Sequence, residues 1–298
     1  MINFYLPNFA NRDFYALNTY FIHSLKNHPE WFYDNVQIGA LYGTFPGVIW
    51  NGGRVVKGDL GISLISKIIQ HFDKLNTPLR FTYTNSLIQE EHLLDIKSNL
   101  ITDIANTGKN EILVNSPILE MYLRQKYPNF KYISSTTKCL LESEDIFKEQ
   151  EKYYLTVLDY RKNNDINFLS TITNPEKFEI LINAYCDPNC QNRKQHYEEL
   201  SRLQLSQEND IETPKCNLLK QGFFDTLSFP TVITVEDLYN IYAPSGFCHF
   251  KIEGRTNHII DVLESYLYYM VKPEHKDGVR YGALKSFMNS DKFLDESF

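Results

Sequence analysis

The sequence predicts an α/β fold, a single (β/α)8 barrel of the TIM type with local distortion allowed. Three observations point there. Short β-like runs alternate with helix-like segments eight times, polar residues gather at the C-terminal ends of those runs, and 298 residues are enough for a barrel that commonly needs about 250. An open doubly wound sheet is the competing arrangement, because hydrophobic pattern alone does not separate the two.

The β-like runs are residues 2–6, 36–42, 79–85, 111–115, 130–135, 154–159, 178–184 and 248–253. Helices are predicted between them over 12–27, 59–74, 90–106, 117–126, 143–151, 164–172 and 190–205, and a last one over 257–271. The second carries Leu60, Leu64, Ile65, Ile68, Ile69 and Phe72 on one face, and the last carries Ile259, Ile260, Val262, Leu263, Leu267 and Met270. Both sets follow the helical period, so each helix has one side to bury. Residues 206–247 form the longest irregular stretch, with Pro214, Pro230 and Pro244. A short helix is expected there at 235–239, with Thr234 as its N-cap. No repeat or linker divides the chain. The barrel is expected over 1–272, with 273–298 as a C-terminal extension packed on it.

Hydrophobic residues make up 43% and charged ones 22%, ordinary values for a globular protein. No apolar run approaches the roughly 18–20 residues that span a bilayer, and the first residues lack the pattern of a signal peptide. A soluble cytoplasmic protein without membrane contact is expected. The net charge of -7 disfavours non-specific nucleic-acid binding but leaves room for a local basic groove. Five cysteines, an odd number in a long chain, argue for free thiols, metal ligands or catalytic groups over a disulfide framework.

Candidate functional residues follow from the barrel. Asn85, Asn115, Ser134 and Ser135, Asp159, Asn183 and Glu253 end successive runs, and in a barrel those ends converge on one rim, where such enzymes hold their sites. Taken singly, Asn and Asp are also common turn starters. In the last run Phe250 and Ile252 point one way, while His249, Lys251 and Glu253 point the other and Arg255 continues the ionic side. That ionic side is expected to face the barrel mouth. The second run leads into Tyr42-Gly43-Thr44-Phe45-Pro46-Gly47 and then Asn51-Gly52-Gly53-Arg54. Glycine there serves a turn or an anion cradle, and Arg54 is a candidate anion clamp.

Cys186 and Cys190 sit where the seventh run hands over to a helix, at a spacing looser than that of most structural zinc sites. With Cys216 as a third ligand and Cys139 as a fourth, they are candidates for an iron-sulfur cluster. The alternative is that they are small buried side chains. No serine-hydrolase elbow and no His-Glu-x-x-His is present.

Phe250-Lys251-Ile252-Glu253-Gly254-Arg255, preceded by Thr234-Val235-Glu236-Asp237-Leu238 and a Pro-Ser-Gly turn, resembles the closing signature of the collagenase-like peptidase U32 family. Weaker similarity extends back through Asn115-Ser116 and the run at 130–135. The family's usual central cysteine block is not recognisable; only the spacing of Cys186 and Cys190 resembles the pattern of some cluster-binding members. The resemblance implies a single barrel. It further implies either a 4Fe-4S enzyme hydroxylating an RNA base or a quinone precursor, or a peptidase, and it carries over Lys251, Glu253 and Arg255 residue by residue. The residues therefore assign Glu253, Asp159 and Lys251 to catalysis, and Arg255, Arg54, Asn85, Asn115, Asn183 and Ser135 to substrate binding. A cluster is assigned to Cys186, Cys190, Cys216 and Cys139. The substrate is a small molecule, a peptide or RNA. A cluster-free peptide hydrolase and a non-catalytic ligand- or partner-binding barrel are the alternatives.

Overall fold

The computed structural model describes residues 1–206, 222–254 and 258–288. Eight parallel strands close into a barrel in sequence order. They are β1 (Ile2–Pro7), β2 (Val36–Gly43), β3 (Leu79–Tyr83), β4 (Glu111–Val114), β5 (Lys131–Ser134), β6 (Leu155–Val157), β7 (Phe178–Leu181) and β8 (His249–Lys251). Closure is made by β1 and β8, with Asn3 opposite His249, Phe4 opposite Phe250 and Tyr5 opposite Lys251, which rules out the open sheet. The β1–β2 register shifts between Phe4 and Tyr5, a local bulge in the ring.

The intervening helices are α1 (Arg12–Asn27), α2 (Ile62–Lys74), α3 (Ile96–Ala105), α4 (Pro117–Lys126), α5 (Ser143–Lys152), α6 (Ile166–Leu169) and α7 (Arg193–Ser206). After them come α8 (Phe223–Thr226), α9 (Val235–Asp237), α10 (Ile259–Met270) and α11 (Lys276–Met288). Side-chain caps set several starts: Asn11 accepts from the Asp13 N–H at α1, Ser116 from Leu119 at α4 and Thr234 from Asp237 at α9, the last as expected. The helix expected over 90–106 is broken into a 3-10 turn, Glu90–Leu94, and α3, because Asp95 caps Ser98 and begins a new helix. The helix expected over 164–172 is the single turn α6.

Strand alternation divides the interior into two cores. Outward-facing Phe4, Leu6, Phe81, Ile112, Val114, Ile180, Phe250 and Ile252 pack against the helices. Inward-facing Tyr5, Ala40, Tyr42, Leu113, Ile133, Leu155 and Val157 fill the barrel. Each large outward side chain that leaves water contributes about 1.5–3 kcal/mol, so this alternation specifies the register strongly.

The tail beyond Pro273 is itself helical. α11 lies against α1 and α10, and a Cβ at Gly282 would stand 2.1 Å from the Tyr20 hydroxyl oxygen. Glycine there lets the two helices approach. No helix among the described residues is long and apolar enough to cross a membrane.

Candidate active site at the barrel mouth

Charged residues inside short apolar strands build the floor of the site. Arg80 of β3 is aligned with Glu111 of β4, and Glu179 of β7 with His249 of β8. The Arg80 Nε donates to Glu111 at 2.7 Å, its Nη1 donates to Glu179, and the Lys251 ammonium lies 3.6 Å from the second Glu179 oxygen. Two cations and two carboxylates therefore balance inside the barrel. The Arg80 guanidinium also lies 3.8 Å from the Tyr5 ring centre, and the Tyr5 hydroxyl is 2.7 Å from His249 Nδ1. Burial alone would raise the Glu179 carboxyl pKa, but the Arg80 and Lys251 charges outweigh it and hold it below the usual range. Burial lowers His249 to about 4, so its imidazole is neutral at pH 7.

Above this floor, Lys251 and Glu253 face the interior while Phe250 and Ile252 are fully buried on the outside, the orientation expected from the period of the strand. The Lys251 ammonium lies 4.0 Å from the Tyr42 ring centre. Glu253 is held from three sides. Its carboxylate pairs with Arg54 and accepts from the Tyr185 N–H at 3.3 Å. Asn183 accepts from the Glu253 N–H at 2.6 Å and donates to its carbonyl at 3.1 Å.

Arg54 reaches Glu253 because the loop after β2 folds down onto the end of β3. The close approach is at Gly52, where a Cβ would stand 2.3 Å from the Thr84 carbonyl oxygen and 2.6 Å from the Asn85 nitrogen. Only glycine fits against that backbone. Burial works against the Arg54 charge, yet Glu253 more than offsets it and keeps the guanidinium pKa above its ordinary value.

The mouth cleft, about 50 Å³, is lined by Tyr42, Arg54, Thr84, Ser135, Thr137, Tyr197, Lys251 and Glu253, among others. The Thr84 hydroxyl is buried without a hydrogen-bond partner among the described residues, a cost that a bound ligand could remove. Ser135 lies within the cleft, its hydroxyl 2.9 Å from that of Thr137. Asn115 donates to the Thr137 hydroxyl at 2.8 Å, so it positions a lining residue from behind.

Two rim residues are turned to other work. Asn85 donates to the carbonyls of Ile49 and Ser201 at 3.2 and 3.0 Å and accepts from Leu87, tying the β2 and β3 ends to α7. Asp159 accepts from Arg161 at 2.9 Å and pairs with Arg193. Burial would raise its pKa, but the two arginines hold it below the ordinary value, making it a fixed anion. Arg193, 3% exposed, carries this anchoring further: it donates to the Tyr197 hydroxyl at 2.9 Å and to Thr136 at 3.3 Å. Arg255 and Cys216 lie outside the described residues.

The residues present give a cluster an incomplete donor set. Cys186, Cys190 and Cys139 form no disulfide and are half-buried, but no group of three or more Cys, His, Asp or Glu able to hold a metal exists among the described residues. Cys139 takes a left-handed turn conformation, and its thiol lies 3.5 Å from the Thr137 carbonyl. Burial pushes that thiol up to about 11, against the thiolate a cluster needs. Cys186 packs on Tyr160, Leu181 and Ala184. No catalytic step is routed through a cluster here.

Arg80, Glu111 and Glu179 belong to no motif of the sequence, and Arg193 and Tyr197 fall in the segment after Cys186 and Cys190 without an assigned role. A single charge inside an otherwise apolar strand, as in Leu79–Tyr83 and Phe178–Leu181, is the signal that marks Arg80 and Glu179, whereas Glu111 opens its strand. Arg193 and Tyr197 stand one helical turn apart on α7, a spacing shared by ordinary surface pairs.

The U32 resemblance is borne out at the level of the fold. The solved structure of the U32 peptidase Mk0906 is similar to this chain with a TM-score of 0.51 and 13% sequence identity, over 85% of this chain and 94% of that one. At that identity the likeness is one of architecture. No family profile matches the sequence. No curated protein matches it.

Proposed function

We propose that the chain is a barrel hydrolase of the U32 peptidase kind, cleaving peptide bonds at the barrel mouth. The observation that carries this reading is Glu253, oriented by Asn183 and the Tyr185 N–H and set beside Arg54 above buried Lys251. The likeness to a solved U32 peptidase supports it. Glu253 takes a proton from water as the water attacks the scissile carbonyl, and returns it to the departing amine. The ammonium of Lys251 and the unpartnered Thr84 hydroxyl supply positive potential and a donor for the oxyanion that develops. An anionic substrate group competes with Glu253 for Arg54, which loosens the carboxylate for proton transfer.

The test is cleavage of a mixed peptide library, followed by mass spectrometry, with the wild type and Glu253→Gln. Loss of a general base lowers turnover by roughly 10²–10⁴-fold, so products from the wild type should vanish in the variant. Cleavage at equal rates by both, or by neither, sinks the proposal.

A cluster-dependent hydroxylation remains the second reading, resting on Cys186 and Cys190, two half-buried cysteines outside any disulfide, and requiring Cys216. Near-stoichiometric iron and sulfide after anaerobic purification would move the proposal to redox chemistry.

A further inference from the structure

A second cavity adjoins the mouth cleft, and Arg54 lines both. It measures about 360 Å³, within the range of small-ligand sites, and lies between the β1–α1 loop and the segment that follows β2. We infer that this cavity is an oxyanion subsite, receiving the carboxylate or phosphate end of the substrate whose other part lies in the mouth.

Four observations converge on it. No carboxylate lines the cavity, while Arg54 and Lys57 both do. Lys57 is half-buried and has no acidic partner among the described residues. Asn11, another lining residue, is the N-cap of the sixteen-residue helix α1, so the positive end of a long helix dipole is directed at this space. Lastly, Thr44 lines the cavity at 4% exposure, and its hydroxyl has no hydrogen-bond partner among the described residues. An orphaned buried hydroxyl is costly, and an oxyanion relieves it by accepting a hydrogen bond from it. The loop is held rigidly enough to keep this geometry. Asn8, in a left-handed conformation, accepts from the N–H groups of Ala10 and Asn11 at 3.0 and 3.2 Å, and Asn18 donates to its carbonyl at 2.5 Å.

Arg54 joins the two spaces. An oxyanion in the subsite draws the guanidinium away from Glu253, so filling the subsite prepares the carboxylate. In this respect the inference rests on the peptidase reading and narrows it: the preferred substrates are short peptides with a free acidic terminus close to the scissile bond.

The experiment is calorimetric titration of the full chain with N-acetyl-diglycine, with its C-terminal amide, and with inorganic phosphate. The wild type should bind the free acid or phosphate, ignore the amide, and lose affinity as salt is raised. Lys57→Ala and Thr44→Val should each weaken oxyanion binding by about tenfold, the size expected for one lost hydrogen bond to a charged group, while circular dichroism shows an intact fold. Tighter binding of the free acid assigns the subsite to a carboxylate, and tighter binding of phosphate assigns it to a phosphoryl group. Equal binding of acid and amide, no binding of either anion, or affinities unmoved in both variants would overturn the inference. Because titration needs no turnover, its failure is distinct from failure of the cleavage assay.

Discussion

Replacing Glu179 by Gln tests the buried charge balance under the site. Glu179 is fully buried, accepts from Arg80 and lies 3.6 Å from the Lys251 ammonium. The amide is nearly isosteric, so the packing survives while one negative charge disappears, which leaves Arg80 with Glu111 and takes away the carboxylate beside Lys251. Coulomb's law at 3.6 Å with an effective dielectric near 20 gives about 5 kcal/mol for one lost attraction. Removing one partner of a buried pair typically destabilises by about 3–5 kcal/mol, which agrees. For a chain of this length that corresponds to a fall in melting temperature of roughly 6–10 °C, read by circular dichroism at pH 7. Arg80→Met should cost a similar amount. The double variant should be more stable than the sum of the two by at least about 2 kcal/mol, because the second substitution removes a charge that has already lost one of its two opposite neighbours. A Glu179→Gln protein melting within about 2 °C of the wild type, or strictly additive effects, would refute the idea that these charges depend on one another.

Further outcomes follow from the same geometry. Burial lowers His249 and His71 to about 4 each in the folded protein, whereas the unfolded chain takes up these protons near 6.5. The unfolded state then binds more protons between those values, so stability present above about 6.5 is lost as pH falls toward 4. Urea midpoints across that window should fall less steeply in His249→Gln, and parallel slopes would exclude His249 as a cause. Gly52→Ala drives a methyl into the Thr84 backbone, which cannot give way as a flexible side chain can, so it should lower the melting temperature sharply and displace Arg54; an unchanged melting curve would show that the loop relaxes freely. Asn183→Ala removes two hydrogen bonds to the Glu253 backbone and should cost about 1–3 kcal/mol while impairing cleavage more than thermal stability suggests. Wild-type cleavage rates in that variant would mean Glu253 needs no such support.

The barrel was legible because short apolar runs with turn-forming ends recur eight times, and that recurrence turned the alternation of Phe250 and Ile252 with Lys251 and Glu253, a pattern equally found on surface strands, toward the barrel mouth. Arg54, Glu253, Lys251 and Ser135 meet at the mouth for the same reason: strand order fixes which ends are neighbours. Other features were hidden. Asn85 and Asp159 sit at the expected rim, but the partners of Asn85 come from α7 and the β2 loop, and Asp159 adds to nearby Arg161 the distant Arg193 of α7, which no local pattern ties to it. The helix α11 was obscured by Gly278 and Gly282, poor helix formers by propensity, although Gly282 is what allows α11 to settle against Tyr20. Arg80 and Glu179 are hard to read because each is a lone charge in an apolar strand, and Glu111 because it opens one; their mutual neutralisation exists only once the ring has formed.

Arg54 follows the second strand and Glu253 the eighth, 199 positions later. A polypeptide emerging from the ribosome therefore holds the guanidine for most of its synthesis before the acid that complements it has been made. Any fragment ending ahead of His249 keeps the raw sides of β1 and β7 exposed to foreign strands and lacks the acid altogether. The paired mouth therefore arises in one stroke, when the eighth stave locks the hoop between the first and the seventh.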